Sequence, residues 1–170
     1  MTPVRRLAAP TAAELDALAT VLVDCVEGGA SVSFMHPLPR ERALAFWQEV
    51  AASAARGERV LLVAEDEEGL CGTVQVLLAM PENQPHRGDL MKMLVHRRAR
   101  RRGVGEALMR AAEAAARDHG KTLLVLDTAS AEAERLYERT GWEAAGVVPD
   151  YALLPHGGYC RTMFYFKRLA

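Results

Sequence analysis

The sequence predicts a mixed α/β fold, one sheet with helices on both faces, and three observations lead there. Helically spaced apolar stretches and short apolar runs follow in the order strand, helix, helix, three strands, helix, strand, helix, two strands. A strand–turn–helix–strand unit sits in the centre of that order, with candidate hairpins outside it. No repeat, low-complexity tract or linker divides the 170 residues, so residues 1–170 read as one domain, long enough to bury a core without disulfides or metals.

Residues 3–7 form the first predicted strand. Thr11, with Glu14 three residues on, reads as a capping box for a helix striped by Leu15, Leu18, Leu22 and Val26 and ended by Gly28-Gly29. Pro37 and Pro39 precede a second helix carrying Ala43, Phe46, Trp47, Val50 and Ala54, closed by Gly57. Val60–Glu65 and Leu70–Leu78 pair as a hairpin across an acidic turn, and Gly72 marks a bulge in the second of them. Asp89–Val95 is the next strand. A helix over 103–119 presents Val104, Leu108, Ala111, Ala112 and Ala115 on one face and stops at Gly120. Leu123–Asp127 reads as a strand buried on both faces, Ala131–Thr140 as a shorter helix, and Trp142–Val148 and Tyr159–Lys167 as the closing strands.

Composition excludes several classes. The net charge of -1 gives no global attraction for nucleic acid or an anionic membrane. Cys25, Cys71 and Cys160 lie far apart, which argues against a disulfide framework and a structural zinc site and fits a reducing cytosol. The histidines are scattered with no metal-ligand spacing, so no metal is expected. Arg5-Arg6 is followed by Glu14 and Asp16 rather than an apolar stretch, and no window approaches the ~18 apolar residues of a membrane span, so a cytoplasmic location is expected.

Chemistry concentrates in Met93–Glu106. An apolar strand runs into five arginines, Arg97, Arg98, Arg100, Arg101 and Arg102, then into Gly103 and Gly105 at the start of a helix. Helix N-termini expose unpaired N–H groups and partial positive charge, glycines let a phosphate approach the backbone, and the arginines add charge at the same place. The pattern points to a polyphosphate-bearing cofactor; a solvated basic turn before an ordinary helix is the plain alternative. The spacing fits neither a G-x-x-x-x-G-K-[ST] loop nor G-x-G-x-x-G.

Arg100-x-x-Gly103-x-Gly105 resembles the R/Q-x-x-G-x-G/A signature of the GNAT N-acetyltransferase superfamily. Asp127 to Ser130, then Ala133, Leu136-Tyr137 and Gly141-Trp142, are similar to that family's following strand, helix and Gly-aromatic pattern, with Ser130 where many members carry asparagine. The resemblance implies a mostly antiparallel central sheet of six to seven strands. It implies acetyl-CoA as co-substrate, its pyrophosphate held by the amides of Arg101, Arg102, Gly103, Val104, Gly105 and Glu106. The pantetheine arm would pair with the main chain of Met93 and Val95, Ser130 standing nearby. Pro149–Pro155 and Thr162–Lys167 resemble the tabtoxin-resistance-type acetyltransferases, which favours a small-molecule amine acceptor, and members often form homodimers.

An alkyl amine of pKa ~10 must lose a proton before it attacks a thioester, and the departing thiolate gains from a proton donor. Tyr137 is the family-matched donor, or else a packing tyrosine. Asp127, at the end of the central strand, is a base, a carboxylate that holds the acceptor ammonium, or a cap for the next helix; an ordinary aspartate near ~3.9 needs burial to serve as the base. Acceptor contacts are expected from Phe34, His36, Gln75, Asp150 and Tyr151; His86 and His96 are less suited to a base role than to solvation, and Trp47 and Trp142 read as packing. The expected activity is therefore acetyl transfer by direct attack in a ternary complex. A CoA-binding sensor without chemistry is the rival, and the arginine run lacks the interleaved aromatics of a nucleic-acid site.

Overall fold

The computed structural model of the chain describes residues 2–170. Its elements are β1 (Val4–Arg6), α1 (Ala12–Glu27), α2 (Arg40–Ala55), β2 (Arg59–Asp66), β3 (Gly69–Leu77), β4 (Arg87–Val95), α3 (Val104–Asp118), β5 (Leu123–Thr128), α4 (Ala131–Arg139), β6 (Glu143–Leu153) and β7 (Tyr159–Arg168). The order is the predicted one, with a 3₁₀ turn added at Arg97–Ala99. Thr11 caps α1 as the sequence indicated: its hydroxyl accepts from Glu14 N while the Glu14 carboxylate accepts from Thr11 N.

The seven strands form one sheet in the order β1-β2-β3-β4-β5-β7-β6. Every neighbouring pair is antiparallel except β4 and β5. Both sides of the sheet are covered, as the alternation along β2 records. Val60, Leu62 and Ala64 join the core under α3 and α4, whereas Leu61 and Val63 join the core under α1 and α2. β5 departs from the expectation of burial on both faces: Leu124 and Leu126 enter the α3 core, but Leu123 and Val125 are half-buried and Asp127 is exposed.

The cause is an opening in the sheet. Pairing between β4 and β5 covers only Arg87↔Leu123, Gly88↔Leu124 and Asp89↔Val125, and beyond it neither strand pairs with the other. Val125, Asp127, Met93 and Val95 therefore lie along a gap that faces the C-terminal ends of both strands.

β4 is also bulged. Thr73 faces Leu94 and Gln75 faces Met91, so β4 carries one residue more than β3 across this span, and Lys92 takes a left-handed φ of 51°. One extra residue reverses the faces beyond it. Leu90 packs in the α3 core, yet Leu94 packs in the α1 core, while Met93 and Val95 turn to the α3 side. The bulge expected at Gly72 falls on its neighbour Cys71, where Ala64↔Gly72 gives way to Glu65↔Leu70. Gly72 answers a packing demand instead: a Cβ there would meet Val104 Cγ1 at 3.0 Å and Leu108 Cδ1 at 3.1 Å. Its bare backbone lets the first turns of α3 sit directly on the sheet.

Candidate active site

The phosphate-binding candidate is built by fixing the basic turn at two points. Asp24, buried near the end of α1, accepts from Arg97 N at 2.9 Å and from the Arg97 guanidinium. Arg98 reaches the β2–β3 turn, with Nη2 3.1 Å from Asp66 Oδ1 and from Leu70 O. The Arg98 guanidinium holds the Asp66 carboxyl below its usual value. Arg100 folds back, its Nε donating to Val95 O at 3.1 Å. The five arginines thus do not act together: Arg97 and Arg98 are internal anchors, and their charge is spent on Asp24 and Asp66. Arg101 and Arg102 are exposed and donate no hydrogen bond within the described residues. Arg102 lines a cavity of about 410 Å³ beside Glu65–Glu68.

Arg101 and Gly103 both adopt left-handed φ, 60° and 79°, which turns the chain into α3. Gly103 is the N-cap and supplies no side-chain hydrogen bond, so the N–H groups of Val104, Gly105 and Glu106 have no acceptor within the helix. A Cβ on Gly103 would meet nothing within 4 Å, so the turn is open at this position. Glu106 turns its carboxylate along the helix to Arg110 at 2.6 Å and leaves them uncovered. Gly105 also serves packing, since a Cβ there would come within 3.1 Å of Leu136 Cδ2 on α4. These donors and the two free arginines fit a phosphorylated group. Met93 and Val95 line the sheet opening beside them, though Val95 O is already engaged by Arg100 Nε and Cys25 Sγ.

Asp127 stands on the other lip of the opening. Its Oδ2 accepts from Thr162 Oγ1 at 2.8 Å, across the β5–β7 pair. It caps nothing. The cap of α4 is Ser130, whose Oγ accepts from Ala133 N at 3.2 Å, so the Ser130 hydroxyl is committed to the helix. Asp127 is exposed, and the burial that a base role needs is not present.

Tyr137 approaches from the α3 side. It is 4% exposed, between Trp142 and Tyr165 at ring-centroid distances of 6.0 Å and 5.7 Å. Its hydroxyl makes no hydrogen bond among the described residues. Burial, with the Asp127 charge adding to it, pushes the phenol well above its usual value, so it is a held proton rather than a phenolate.

The loop after α1 meets the β6–β7 hairpin, the two segments from which acceptor contacts are expected. His36 N donates to Pro155 O at 2.9 Å, the rings of His36 and His156 lie 4.4 Å apart, and His156 Nε2 contacts Glu27 O at 2.9 Å. Phe34 packs edge-on against Phe46 at 5.3 Å and borders a hollow of about 230 Å³ with Ser31, Ser33, Met35, Ala152 and Leu153. β6 is bulged over Pro149–Tyr151, where Val148↔Thr162 gives way to Ala152↔Cys160, and Asp150 takes a φ of 50°. Asp150 and Tyr151 are exposed there.

Gln75 does not join this site. It is fully buried under α2, its Oε1 accepting from Arg59 Nη1 at 2.7 Å. The loop after α1 is instead reached by a residue the sequence reading passed over: Lys92, whose Nζ donates to Ser33 Oγ at 2.9 Å. The available signal was a lysine inside the apolar run Leu90–Val95. His86 is exposed, and His96 Nδ1 accepts from Arg98 N at 3.2 Å, so neither is placed as a base. Trp47 and Trp142 are buried packing residues.

Comparison with known proteins adds the family. Residues 57–144 match the model described as the acetyltransferase (GNAT) domain. The fold resembles a ribosomal-protein-alanine N-acetyltransferase from Brucella melitensis, at 24% identity and TM-score 0.82 over 98% of this chain and 99% of that one. A putative acetyltransferase from Salmonella typhimurium, solved with acetyl-CoA, is similar at 18% identity and TM-score 0.81, covering 100% of this chain and 95% of the other. A phosphinothricin acetyltransferase from Sinorhizobium meliloti, in complex with acetyl-CoA, gives 18% identity and TM-score 0.81 over 99% and 89%. The family match spans more than half of the chain and includes the opened β4 strand and the uncapped start of α3: the chain belongs to the GNAT family of N-acetyltransferases.

Proposed function

We propose that the protein transfers the acetyl group of acetyl-CoA to the amine of a small molecule, by direct attack within a ternary complex. The observation that carries the reading is a juxtaposition. The uncapped N-terminus of α3 and the Asp127 carboxylate stand at the C-terminal ends of β4 and β5, where those strands cease to pair. Acetyl-CoA supplies the acyl group as an activated thioester. The amides of Arg101 to Glu106, with the free charges of Arg101 and Arg102, hold its pyrophosphate, and the main chain of Met93 and Val95 guides the arm into the opening.

Asp127 holds the acceptor ammonium at the mouth of the opening, its carboxylate fixed by Thr162. Exposure favours this holding role over that of the base. The ammonium loses one proton to water before the nitrogen attacks the carbonyl carbon, and a second leaves the nitrogen to water as the tetrahedral adduct collapses to amide and thiolate. Tyr137 donates its hydroxyl hydrogen bond to sulfur as the carbon–sulfur bond breaks. Because the phenol is held above its usual value, full proton transfer is uphill and the donated hydrogen bond is the larger contribution. Phe34, His36, Asp150 and Tyr151 shape the acceptor side.

The Pro149–Pro155 segment, with its resemblance to tabtoxin-resistance enzymes, and the likeness to a phosphinothricin acetyltransferase support a toxin or antibiotic of small size as acceptor. The exposed late hairpin, where Val147, Leu153 and Tyr159 are uncovered, supports a homodimer. The test is a thiol-release assay over a panel of amines, followed by initial rates with both substrates varied. Intersecting lines with an acetylated product support direct transfer. Parallel lines would place the acetyl group on the enzyme first, and tight acetyl-CoA binding without turnover of any amine would make the protein a sensor.

A further inference from the structure

We infer that Lys92 is a specificity-determining residue that binds an anionic group, such as a carboxylate, carried by the acceptor close to its amine. The inference rests on the acetyl-transfer reading and names the substrate class for that site. Lys92 occupies the bulge of β4, and the bulge turns its side chain from the α3 core to the face that Ser33 and Leu94 share. Asp127 projects on that same face from the other side of the opening, since its neighbours Leu124 and Leu126 point to the α3 core. A cation and a carboxylate thus flank the entrance to the gap on one face of the sheet.

The ammonium is not consumed by the fold. Lys92 Nζ makes one hydrogen bond, to Ser33 Oγ, and no carboxylate lies within ion-pair distance among the described residues. Burial draws it below the usual lysine value while the Asp127 charge opposes that, so it is a partly desolvated cation with two N–H donors to spare. Its partner Ser33 borders the hollow between the α1–α2 loop and β6. Both residues hold left-handed φ, 51° at Lys92 and 78° at Ser33, conformations that cost energy for side-chain-bearing residues. Of the four such residues in the described chain, the other two are Arg101 in the phosphate turn and Asp150 in the β6 bulge. Strain is confined to segments around the proposed site, and the Lys92–Ser33 bond joins two of them.

An acceptor that carries both an ammonium and an anion matches this pair: Asp127 takes the first and Lys92 with Ser33 the second. The amine is thereby turned toward the thioester. A neutral amine lacks the second contact, and an acceptor with a second cation meets repulsion.

The test uses the full-length protein, a saturating acetyl-CoA concentration, and a panel of L-amino acids and amino phosphinates beside their amides and decarboxylated amines. Wild type is expected to favour the anionic member of a pair by about 10- to 100-fold in kcat/KM, the span of a charge-assisted hydrogen bond. Lys92→Gln removes that preference by raising KM for the anionic member, and Lys92→Arg restores most of it. The stabilisation of each variant by acetyl-CoA reports that it is folded. Equal turnover of paired anionic and neutral amines, a panel in which no anionic member is acetylated, or a preference retained in Lys92→Gln would each overturn the assignment. Failure of acetyl-CoA to bind wild type would instead strike the acetyl-transfer reading beneath it.

Discussion

Thr162 Oγ1 donates to Asp127 Oδ2 at 2.8 Å, across a registered strand pair and at the lip of the gap between β4 and β5. Thr162 is buried and Asp127 exposed, so the hydroxyl aims the carboxylate without shielding it. Asp127→Asn should lower kcat/KM by about 10- to 100-fold through a raised KM for the amine, with acetyl-CoA binding retained. Thr162→Val, which frees the carboxylate but keeps its charge, should cost about 3- to 10-fold. Steady-state rates beside isothermal titration of acetyl-CoA check both, and equal losses in the two variants would count against the aiming role.

Tyr137→Phe removes a hydroxyl that makes no hydrogen bond among the described residues, so the variant should fold normally and lose about 10²-fold in kcat. Retained activity would make Tyr137 a packing residue, which its place between Trp142 and Tyr165 already explains.

Alkaline pH should reveal the buried phenols. Tyr137 is held well above its usual value by burial, and Tyr165 is pushed up to about 12 by burial and by its bond to Glu138. Above about pH 10 the unfolded chain releases protons that the folded chain keeps. Stability from these groups is therefore complete below about pH 10 and falls as pH rises toward their folded values. Melting temperatures from about pH 8 to about pH 11.5 should bend downward in wild type and less steeply in Tyr137→Phe.

The glycines separate packing from binding. Gly72→Ala should cost about 1–3 kcal/mol of stability, because Val104, Leu108 and Leu94 O crowd the new methyl. Gly103→Ala meets no neighbour but forces alanine into left-handed φ, for about 1–2 kcal/mol, and so disturbs the turn that presents the α3 donors. Urea unfolding and acetyl-CoA titration together should show Gly72→Ala losing stability and Gly103→Ala losing affinity.

Within the basic turn, Arg101→Gln and Arg102→Gln should each weaken acetyl-CoA binding by about two- to fivefold in a salt-sensitive way. Arg98→Gln should instead lower stability, because it strips Asp66 and the β2–β3 turn of their partner.

Periodicity and caps made the element order legible in the sequence, since apolar spacing reports directly which face is buried. The turn into α3 was legible from Gly103, Gly105 and the arginines, but not the division of labour among the arginines. Arg97 and Arg98 find their carboxylates 73 and 32 residues away, a distance no local pattern carries. Lys92 was hidden for a related reason. A regular strand would align it with Leu90 in the α3 core, and only the bulge turns it to Ser33. Gln75, expected among the acceptor contacts, is buried instead, and Arg59, 16 residues away, satisfies its oxygen within the core.

The most direct measurement is a thermal-shift titration with acetyl-CoA, CoA, ATP and NADH in parallel. At about 100 times its Kd, a CoA species should stabilise the fold by about 2.7 kcal/mol, which for a chain of this size raises Tm by roughly 5–10 °C. The prediction is that shift with acetyl-CoA and CoA, its loss in Gly103→Ala, and none with ATP or NADH. No shift with either CoA species at millimolar concentration would contradict the assignment of the α3 N-terminus as the acetyl-CoA site.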